Sequence, residues 1–217
     1  CPMEGVYMRV EYIDKNGYLI ETSEAVYIFD YVDGRLPSHY LRQDKPLLFF
    51  VSCRDENHYS EGIYSYRKTV ILSYDVDVTP YSKVFKVRPD DVVHLGFAKV
   101  YVVNNPKQGV CYVIKENGRK YLFTGNMNLR FKDIAADEHT AYQKELFLNT
   151  MNELKKHGPY DLAIFDVSDE ASVNHFLKYC EPRHVFPIGK LNHRLVQEDV
   201  LTYTPKYSNY IFEVKNV

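Results

Sequence analysis

The sequence predicts a β-rich α/β domain with mixed β-sheets, and three observations carry that prediction. Short runs of β-branched and aromatic residues, bounded by turn residues, follow one another from Met8 to Thr124. The run from Leu47 to Ser52 is apolar along its length, which is typical of a strand covered on both faces. After Asp137 the apolar residues recur at helical intervals, and further strand-like and helical runs follow. The pattern therefore predicts the class of fold but does not choose a topology.

Turn residues mark the ends of the predicted strands. Lys15-Asn16-Gly17 separates the first two strands, and Asn117-Gly118 joins a later pair as a hairpin. The strand candidates are Met8 to Ile13, Tyr18 to Thr22, Ala25 to Asp30, Leu47 to Ser52, Thr69 to Ser73, Lys83 to Val87, Ala98 to Val103, Val110 to Glu116, Lys120 to Thr124, Leu162 to Val167, His184 to Ile188, and the tail from Tyr203 to Val214.

Helical spacing predicts two longer helices and a short one. The first runs from Asp137 to His157 and ends at Gly158-Pro159. The second runs from Ser168 to Tyr179 and is opened by Ser168 or Asp169 as the N-cap. The short helix is predicted where Tyr59, Ile63 and Tyr66 have helical spacing.

The composition limits the classes of function. The 217 residues fit one domain, and the content of 45% hydrophobic and 26% charged residues is ordinary for a globular protein. The net charge of −2, with Lys and Arg scattered along the chain, argues against a nucleic-acid binder that relies on a general phosphate field. No apolar stretch approaches the roughly 18 residues of a membrane span. We therefore expect neither nucleic acid nor a membrane as partner.

The cysteines and the first residues lead to two further expectations. Cys53, Cys111 and Cys180 are dispersed, without the paired spacing of metal sites, which predicts a reduced, cytoplasmic protein. Four cysteines alone leave a disulfide open. No secretory signal is visible, and residues 1–6 are interpreted as disordered or leftover sequence because the regular pattern begins near Tyr7.

Five segments, in order along the chain, carry a resemblance to a known superfamily. They are Val26 to Asp30 before the turn at Asp33-Gly34, Phe50 to His58, Lys120 to Asn126, Tyr160 to Phe165, and Pro182 to Ile188. Together they resemble the metallo-β-lactamase fold superfamily, and in particular the small UlaG-like metal-dependent hydrolases of bacteria. The resemblance implies one αββα sandwich over residues 1–217, with two mixed sheets and a site at the loop edge between them.

The same resemblance implies where metal ligands belong, and this chain departs from the pattern there. The superfamily carries S-H-x-H-x-D-H after its apolar strand and holds one or two zinc ions with imidazoles and carboxylates. Cys53 and Asp55 stand where the first two histidines belong, and Asn57 stands where the aspartate belongs. Among these ligand positions, His58 alone keeps the residue type of the motif.

The later ligand positions have changed as well. Asn126 replaces the aspartate of T-G-D, and Gly189 stands in the place of the last histidine. The loop from Asn104 to Gly109, near the middle ligand, has no histidine or carboxylate. Asn is nearly isosteric with Asp and keeps hydrogen bonds without the charge, so we interpret the two amides as the remnant of a site that no longer holds a cation.

Three hypotheses about function follow. The favoured one is a non-catalytic relative that keeps the former active-site cleft for a small molecule or a protein partner, with no cofactor and no catalytic residue assigned. The second is a metal-dependent hydrolase in which Asp55 and His58, with the thiolate of Cys53, hold zinc or another divalent metal. The third is a thiol-dependent enzyme in which His58 activates Cys53. His193 is a minor candidate to reach the cleft, and the oligomeric state stays open.

Overall fold

The computed structural model describes residues 7–128, 138–190, 200–215 and 217. It divides into two compact units, the first made of residues 1–87 and 205–217 and the second of residues 88–204. The prediction of one domain over residues 1–217 stays a prediction. The interpretation of residues 1–6 and the role considered for His193 fall outside the described residues.

The described strands, in chain order, agree closely with the predicted ones. They are β1 (Tyr7–Tyr12), β2 (Tyr18–Glu21), β3 (Val26–Phe29), β4 (Leu47–Val51), β5 (Thr69–Ser73), β6 (Val84–Val87), β7 (Val92–His94), β8 (Ala98–Asn104), β9 (Val110–Glu116), β10 (Arg119–Phe123), β11 (Tyr160–Asp166), β12 (Pro182–Ile188), β13 (Leu201–Thr202) and β14 (Tyr210–Lys215). Each unit holds one mixed sheet with seven described strands.

The sheet of the first unit has the order β14-β1-β2-β3-β4-β5-β6. Strands β14 to β3 pair antiparallel, and β3 to β6 pair parallel. A short helix α1 (Ser38–Leu41) and a 3-10 helix (Glu61–Tyr66) supply residues to one buried cluster with this sheet, among them Tyr40 and Ile63. Because β3 and β4 run parallel, the residues that follow them lie at one edge of the sheet.

The sheet of the second unit has the order β13-β12-β11-β10-β9-β8-β7. Strands β7 to β10 form an antiparallel meander, and β10 to β13 pair parallel. Helices α2 (Glu138–His157) and α3 (Glu170–Cys180) share a buried cluster with this sheet, in which the rings of Phe165 and Phe176 stack at 3.9 Å. The carboxyl ends of β10, β11 and β12 therefore meet at one edge.

Turn chemistry explains the confirmed hairpin and one corrected boundary. Asn117 and Gly118 have φ of 49° and 80°, as a type I′ turn between β9 and β10 requires. Of the two N-cap candidates of α3, Asp169 is confirmed and Ser168 is wrong, because the amide of Ser168 bonds Asp166 Oδ1 at 2.8 Å and the residue lies outside the helix. Asp169 is the N-cap and accepts the amide of Ser172 at 2.8 Å. Among the described helices, none has the length and hydropathy to cross a membrane.

Candidate functional site

Asp30 fixes the start of the first candidate region, the motif loop from Cys53 to His58. The residue follows β3, is fully buried, and has a left-handed φ of 45°. Its Oδ1 accepts the amide of Ser52 at 2.8 Å, and its Oδ2 accepts the Ser52 hydroxyl at 2.6 Å. Ser52 follows the fully buried strand β4, so the parallel pairing of β3 and β4 brings the two residues together. Asp30 therefore anchors the chain just before the motif loop.

His58 is held from both sides of its ring. Its Nδ1 lies 2.6 Å from Asp30 Oδ2, and the side-chain amide nitrogen of Asn16 lies 3.3 Å from Nε2. The same Asn16 nitrogen donates to the backbone carbonyl of Asn57 at 3.1 Å, and a carbonyl only accepts, which fixes the orientation of the amide. His58 therefore donates from Nδ1 to Asp30 and accepts at Nε2 from Asn16. The residue is only 4% exposed.

The Asp30–His58 pair resembles the carboxylate–histidine pairs that orient metal ligands, but the second ring nitrogen of His58 is not free to bind a metal. A histidine that binds a metal usually donates its other ring N–H to a carboxylate, which sets the tautomer and the direction of the ring. Asp30 and His58 form such a pair. On the far side of the ring, however, the N–H of Asn16 points at the nitrogen that a cation would need.

Asp55 and Asn57 are engaged with each other within the motif loop. Asp55 Oδ1 accepts both the backbone amide and the side-chain amide of Asn57, at 2.8 and 3.0 Å. The carbonyl of Asp55 accepts the amides of His58 and Tyr59 at 2.8 and 2.9 Å. These four bonds give Asp55 the role of an Asx-type turn residue that shapes the loop.

Cys53 has the environment of a core residue. It is fully buried, and burial together with the nearby charge of Asp30 raises the pKa of its thiol to about 12. A thiolate is the form that attacks an electrophile or binds zinc, and these surroundings disfavour it. His58 already uses both ring nitrogens in bonds to Asp30 and Asn16. These contacts count against the hypothesis that His58 activates Cys53, which stays untested.

The second candidate region, called the amide rim, belongs to the second unit. Its members are Asn105, Asn126, Asn128, Asp166, Ser168 and Gly189. Asn126 Oδ1 accepts the side-chain amide of Asn105 at 3.1 Å. The same Asn105 nitrogen donates to the carbonyl of Thr124 at 3.1 Å, while Asn105 Oδ1 accepts the amide of Lys107 at 3.0 Å. Asn105 thus ties the loop after β8 to the loop after β10.

A second set of bonds joins the loops after β10 and β11. The Asn128 side-chain amide donates to Ser168 Oγ, and Ser168 Oγ donates to Asp166 Oδ1 at 2.6 Å. Gly189 follows β12 with φ of 79°, a conformation that residues with side chains rarely adopt. A Cβ built there would lie 3.7 Å from Asp166 Oδ1 and 3.8 Å from Ser168 Cβ. The position at which the resemblance places a histidine is therefore one whose backbone favours glycine.

The two regions do not present the donors that a zinc site requires. Zinc takes three or four nitrogen, sulfur or anionic oxygen ligands that converge on one ion. The described residues contain no group of three or more His, Cys, Asp or Glu arranged to hold a metal ion. Asn57 and Asn126 are neutral amides. Asp55 is bonded to Asn57 within the loop, and His58 is bonded to Asn16 and Asp30 outside it. The donor set of these residues does not fit a metal of the kind that the resemblance implies.

Sequence reasoning missed three residues that build these regions. The sequence pattern marks Asn16 only as a turn residue, and no motif includes Asn128. Asn105 was noted only as part of a loop without ligands. The one available signal was position, because Asn105 and Asn128 lie just after predicted strands. The partner of Asn16 lies 42 residues away in the sequence, beyond the reach of any local pattern.

Comparison with solved structures identifies the fold. A metallo hydrolase from the archaeon Ignicoccus hospitalis aligns with a TM-score of 0.65 at 8% identity, over 96% of this chain and 99% of that one. A putative metal-dependent hydrolase from Parabacteroides distasonis gives 0.59 at 11% identity, over 91% and 92%. The metallo-β-lactamase fold protein YhfI from Bacillus subtilis gives 0.54 at 13% identity, over 96% and 100%. No family model and no curated protein matches the sequence.

The chain therefore has the metallo-β-lactamase fold, and the predicted fold class, α/β with two mixed sheets, is confirmed. The solved structures of this fold resemble the chain along nearly its whole length. Identities of 8 to 13% establish the fold and leave the activity of this chain to be argued from its own residues.

Proposed function

We propose that this protein is a non-catalytic member of the metallo-β-lactamase fold, which binds a small molecule or a protein partner with the residues that replace the metal site. One observation carries the proposal. His58, the motif histidine that remains, accepts the N–H of Asn16 at the nitrogen that would face a metal. The neutral side-chain amide of Asn16 thus occupies the place that a metal would take beside the Asp30–His58 pair.

The number of available ligands supports the same conclusion, because the Asn16 bond alone would not exclude a metal. One hydrogen bond is worth about 1 kcal/mol net, whereas a complete structural zinc site contributes about 10–16 kcal/mol. A full set of ligands would therefore displace Asn16 with little difficulty. Negative charges that would stabilise a bound dication are missing, because neutral Asn57 and Asn126 stand where the resemblance places carboxylates. Asp55 is also committed to Asn57 through two hydrogen bonds.

A metal-dependent hydrolase is the second candidate. The observation that favours it is the carboxylate–histidine pair of Asp30 and His58, the arrangement that orients metal ligands in other proteins. Solved proteins of similar fold are described as a metallo hydrolase and as a putative metal-dependent hydrolase. The thiol-dependent alternative is disfavoured, because the pKa of Cys53 is raised to about 12. A cytoplasmic location and the lack of nucleic-acid and membrane partners stay predictions.

Metal analysis separates the two candidates. The full chain is stripped with a chelator, incubated with zinc, manganese or iron, dialysed, and analysed by mass spectrometry for bound metal. We expect well below one ion per chain and no rise in melting temperature with any of the metals. Turnover of ester and phosphodiester probes is measured on the same samples, and we expect none above the buffer rate.

A matched pair of variants makes this test specific. His58→Ala removes the motif histidine, and His184→Ala removes a histidine of the second unit that is equally buried and bonds Tyr203 at 2.9 Å. Stoichiometric metal that is lost in His58→Ala and kept in His184→Ala would overturn the proposal in favour of the hydrolase. Equal metal content in both variants would place any bound ion away from the motif loop.

A further inference from the structure

The amide rim lies where ligands bind in open α/β sheets. In such sheets the ligand binds outside the carboxyl ends of the parallel strands. Strands β10, β11 and β12 are parallel to each other, and Asn126, Asp166 and Gly189 stand at or just after their carboxyl ends. The position follows from the topology of the second unit alone.

One buried acceptor in the rim has no partner. Asn128 is 8% exposed, and its Oδ1 makes no hydrogen bond within the part of the chain that the structure describes. The amide cannot be turned round, because its nitrogen donates to Ser168 Oγ and the Ser168 hydroxyl is already donated to Asp166. A buried acceptor without a partner is unfavourable, so a group that donates to Asn128 Oδ1 is favoured there.

Two further polar groups of the rim have bonding capacity left. Both bonds that Asp166 accepts from Ser168 end on Oδ1, which leaves Oδ2 as an acceptor. Asn126 uses its oxygen for Asn105, so its NH2 group is left as a donor. The rim thus offers two acceptors and one donor, and its formal charge comes from a single carboxylate, Asp166.

This pattern selects among classes of ligand. At neutral pH a carboxylate has no hydrogen to donate to Asn128 Oδ1, and a phosphate monoester is mostly a dianion without one; either group would also meet the negative charge of Asp166. An ammonium group can donate to both acceptors but would meet the N–H groups of Asn126. A hydroxyl group both donates and accepts, so neighbouring hydroxyls satisfy all three positions.

Gly189 leaves room for such a ligand beside Asp166. The nearest side-chain atoms to a Cβ built at this glycine belong to Asp166 and Ser168, at 3.7 and 3.8 Å. A longer side chain here, such as the histidine that the resemblance places at this position, would occupy space next to both residues. The glycine therefore keeps the carboxylate approachable.

We infer that the amide rim binds an uncharged, polyhydroxylated small molecule of the sugar or polyol class through Asn126, Asn128 and Asp166. The inference rests on the proposed function, since it names the ligand class of a site without metal. Asn105 and Ser168 are positioning residues, because they hold Asn126 and Asn128 in orientation.

The test measures direct binding of small molecules to the full chain by saturation-transfer NMR and by calorimetry. The probes are D-glucose, D-ribose and myo-inositol, with glucose 6-phosphate, ethanolamine and calcium chloride as charged comparisons. We expect saturable binding of at least one neutral polyol and weaker binding of the charged probes. Asn128→Ala and Asp166→Ala should each weaken that binding about tenfold, the effect of roughly one hydrogen bond to a ligand.

The control is Asn152→Ala, on an exposed position of α2, which should bind the polyol as the unchanged chain does. Asp166→Asn keeps the shape of the side chain and the oxygen that accepts from Ser168 but replaces the Oδ2 acceptor with an NH2 group. It serves if an alanine variant does not fold, and it should weaken polyol binding as well. The inference is overturned if none of the neutral polyols binds, if only ethanolamine or calcium binds, or if both rim variants bind as tightly as the control. Its failure is distinct from failure of the proposed function, which depends on metal retained through His58.

Discussion

Asp30→Asn tests the hydrogen-bond arrangement around His58 with little change of shape. Asp30 accepts three hydrogen bonds, from the amide and hydroxyl of Ser52 and from His58 Nδ1, at 2.8, 2.6 and 2.6 Å. An asparagine side chain has one acceptor oxygen and an NH2 group that only donates. The left-handed φ of 45° is tolerated by Asn as well as by Asp, so the backbone contributes little to the result.

Each orientation of the new amide produces a conflict. If its oxygen stays toward the Ser52 amide, its NH2 group faces the Nδ1–H of His58. The ring must then move its proton to Nε2, which places an N–H against the amide nitrogen of Asn16. If the amide is turned round, its NH2 group faces the amide of Ser52, which can only donate.

The magnitude follows from the bonds that are lost. Hydrogen bonds to charged groups contribute about 1.5–3 kcal/mol each, and a buried donor left without a partner costs about 1–3 kcal/mol. The Ser52 hydroxyl can rotate to accept, so one conflict at His58 or at Ser52 remains. We expect the free energy of unfolding to fall by about 2–4 kcal/mol. For a chain of this size that lowers the melting temperature by about 5–15 °C.

The assay is urea and thermal unfolding of Asp30→Asn, Asn16→Ala and the double variant. Asn16→Ala alone loses the bonds to His58 Nε2 and the Asn57 carbonyl and should cost about 1–2 kcal/mol. In the double variant the proton on Nε2 no longer faces an N–H. The free energy of unfolding lost by the double variant should therefore be about 1 kcal/mol smaller than the sum of the losses in the two single variants.

Asp161→Asn is the matched control, because Asp161 accepts one bond, from the amide of Lys120 at 2.9 Å. It should cost less than about 1 kcal/mol. A cost for Asp30→Asn equal to that of the control would refute the assignment of donors and acceptors around His58. Strict additivity in the double variant would refute the link through the histidine ring.

Three other predictions concern single residues. Burial and the charge of Asp30 raise the pKa of Cys53 to about 12, so about one thiol in ten thousand is ionised at pH 8. Peptide mapping should therefore show that iodoacetamide labels Cys53 slowly in the folded chain and fast in urea. Fast labelling of the folded chain would contradict the burial. Gly189→Ala should lower the free energy of unfolding by about 1 kcal/mol through its φ of 79°, while Gly189→Asn costs less, and a stabilised alanine variant in urea melts would count against that conformation. Asp169→Ala should lose about 1 kcal/mol and reduce hydrogen-exchange protection at the amino end of α3, because the N-cap bond to Ser172 disappears; unchanged exchange there would show that the cap does not hold the helix.

The fold was predictable because its signals are local. Strand β4 is buried at every position and appears in the sequence as one apolar run. The turn at Asn117-Gly118 sets the register of β9 and β10 through residue types that favour positive φ. Strand β7 was not predicted because its three residues, Val92–His94, are too few to show an alternation of apolar and polar side chains, and none of them is buried.

The candidate site was only partly predictable because its contacts are distant in sequence. The residues at the ligand positions that the resemblance implies could be identified one by one from the sequence. The bonds that use those residues could not, since His58 meets Asp30 across 28 residues and Asn16 across 42. Such pairings depend on how parallel strands bring separate loops to one sheet edge. The sequence thus predicts which positions differ from the superfamily's motif, and the structure shows which residues bond to them.

The Asp55–Asn57 pair has a consequence for protein engineering. Asn57→Asp would return a carboxylate to the motif, but it would set two negative charges side by side where the Asn57 amide now lies 3.0 Å from Asp55 Oδ1. Gly189→His would place a β-carbon on a left-handed backbone, and no bound ion would offset that strain until the other ligands were present. Each single restoration therefore weakens the chain before it gains a ligand. A screen of one-residue changes would discard these steps, and a designed metalloenzyme on this scaffold must install its ligands together.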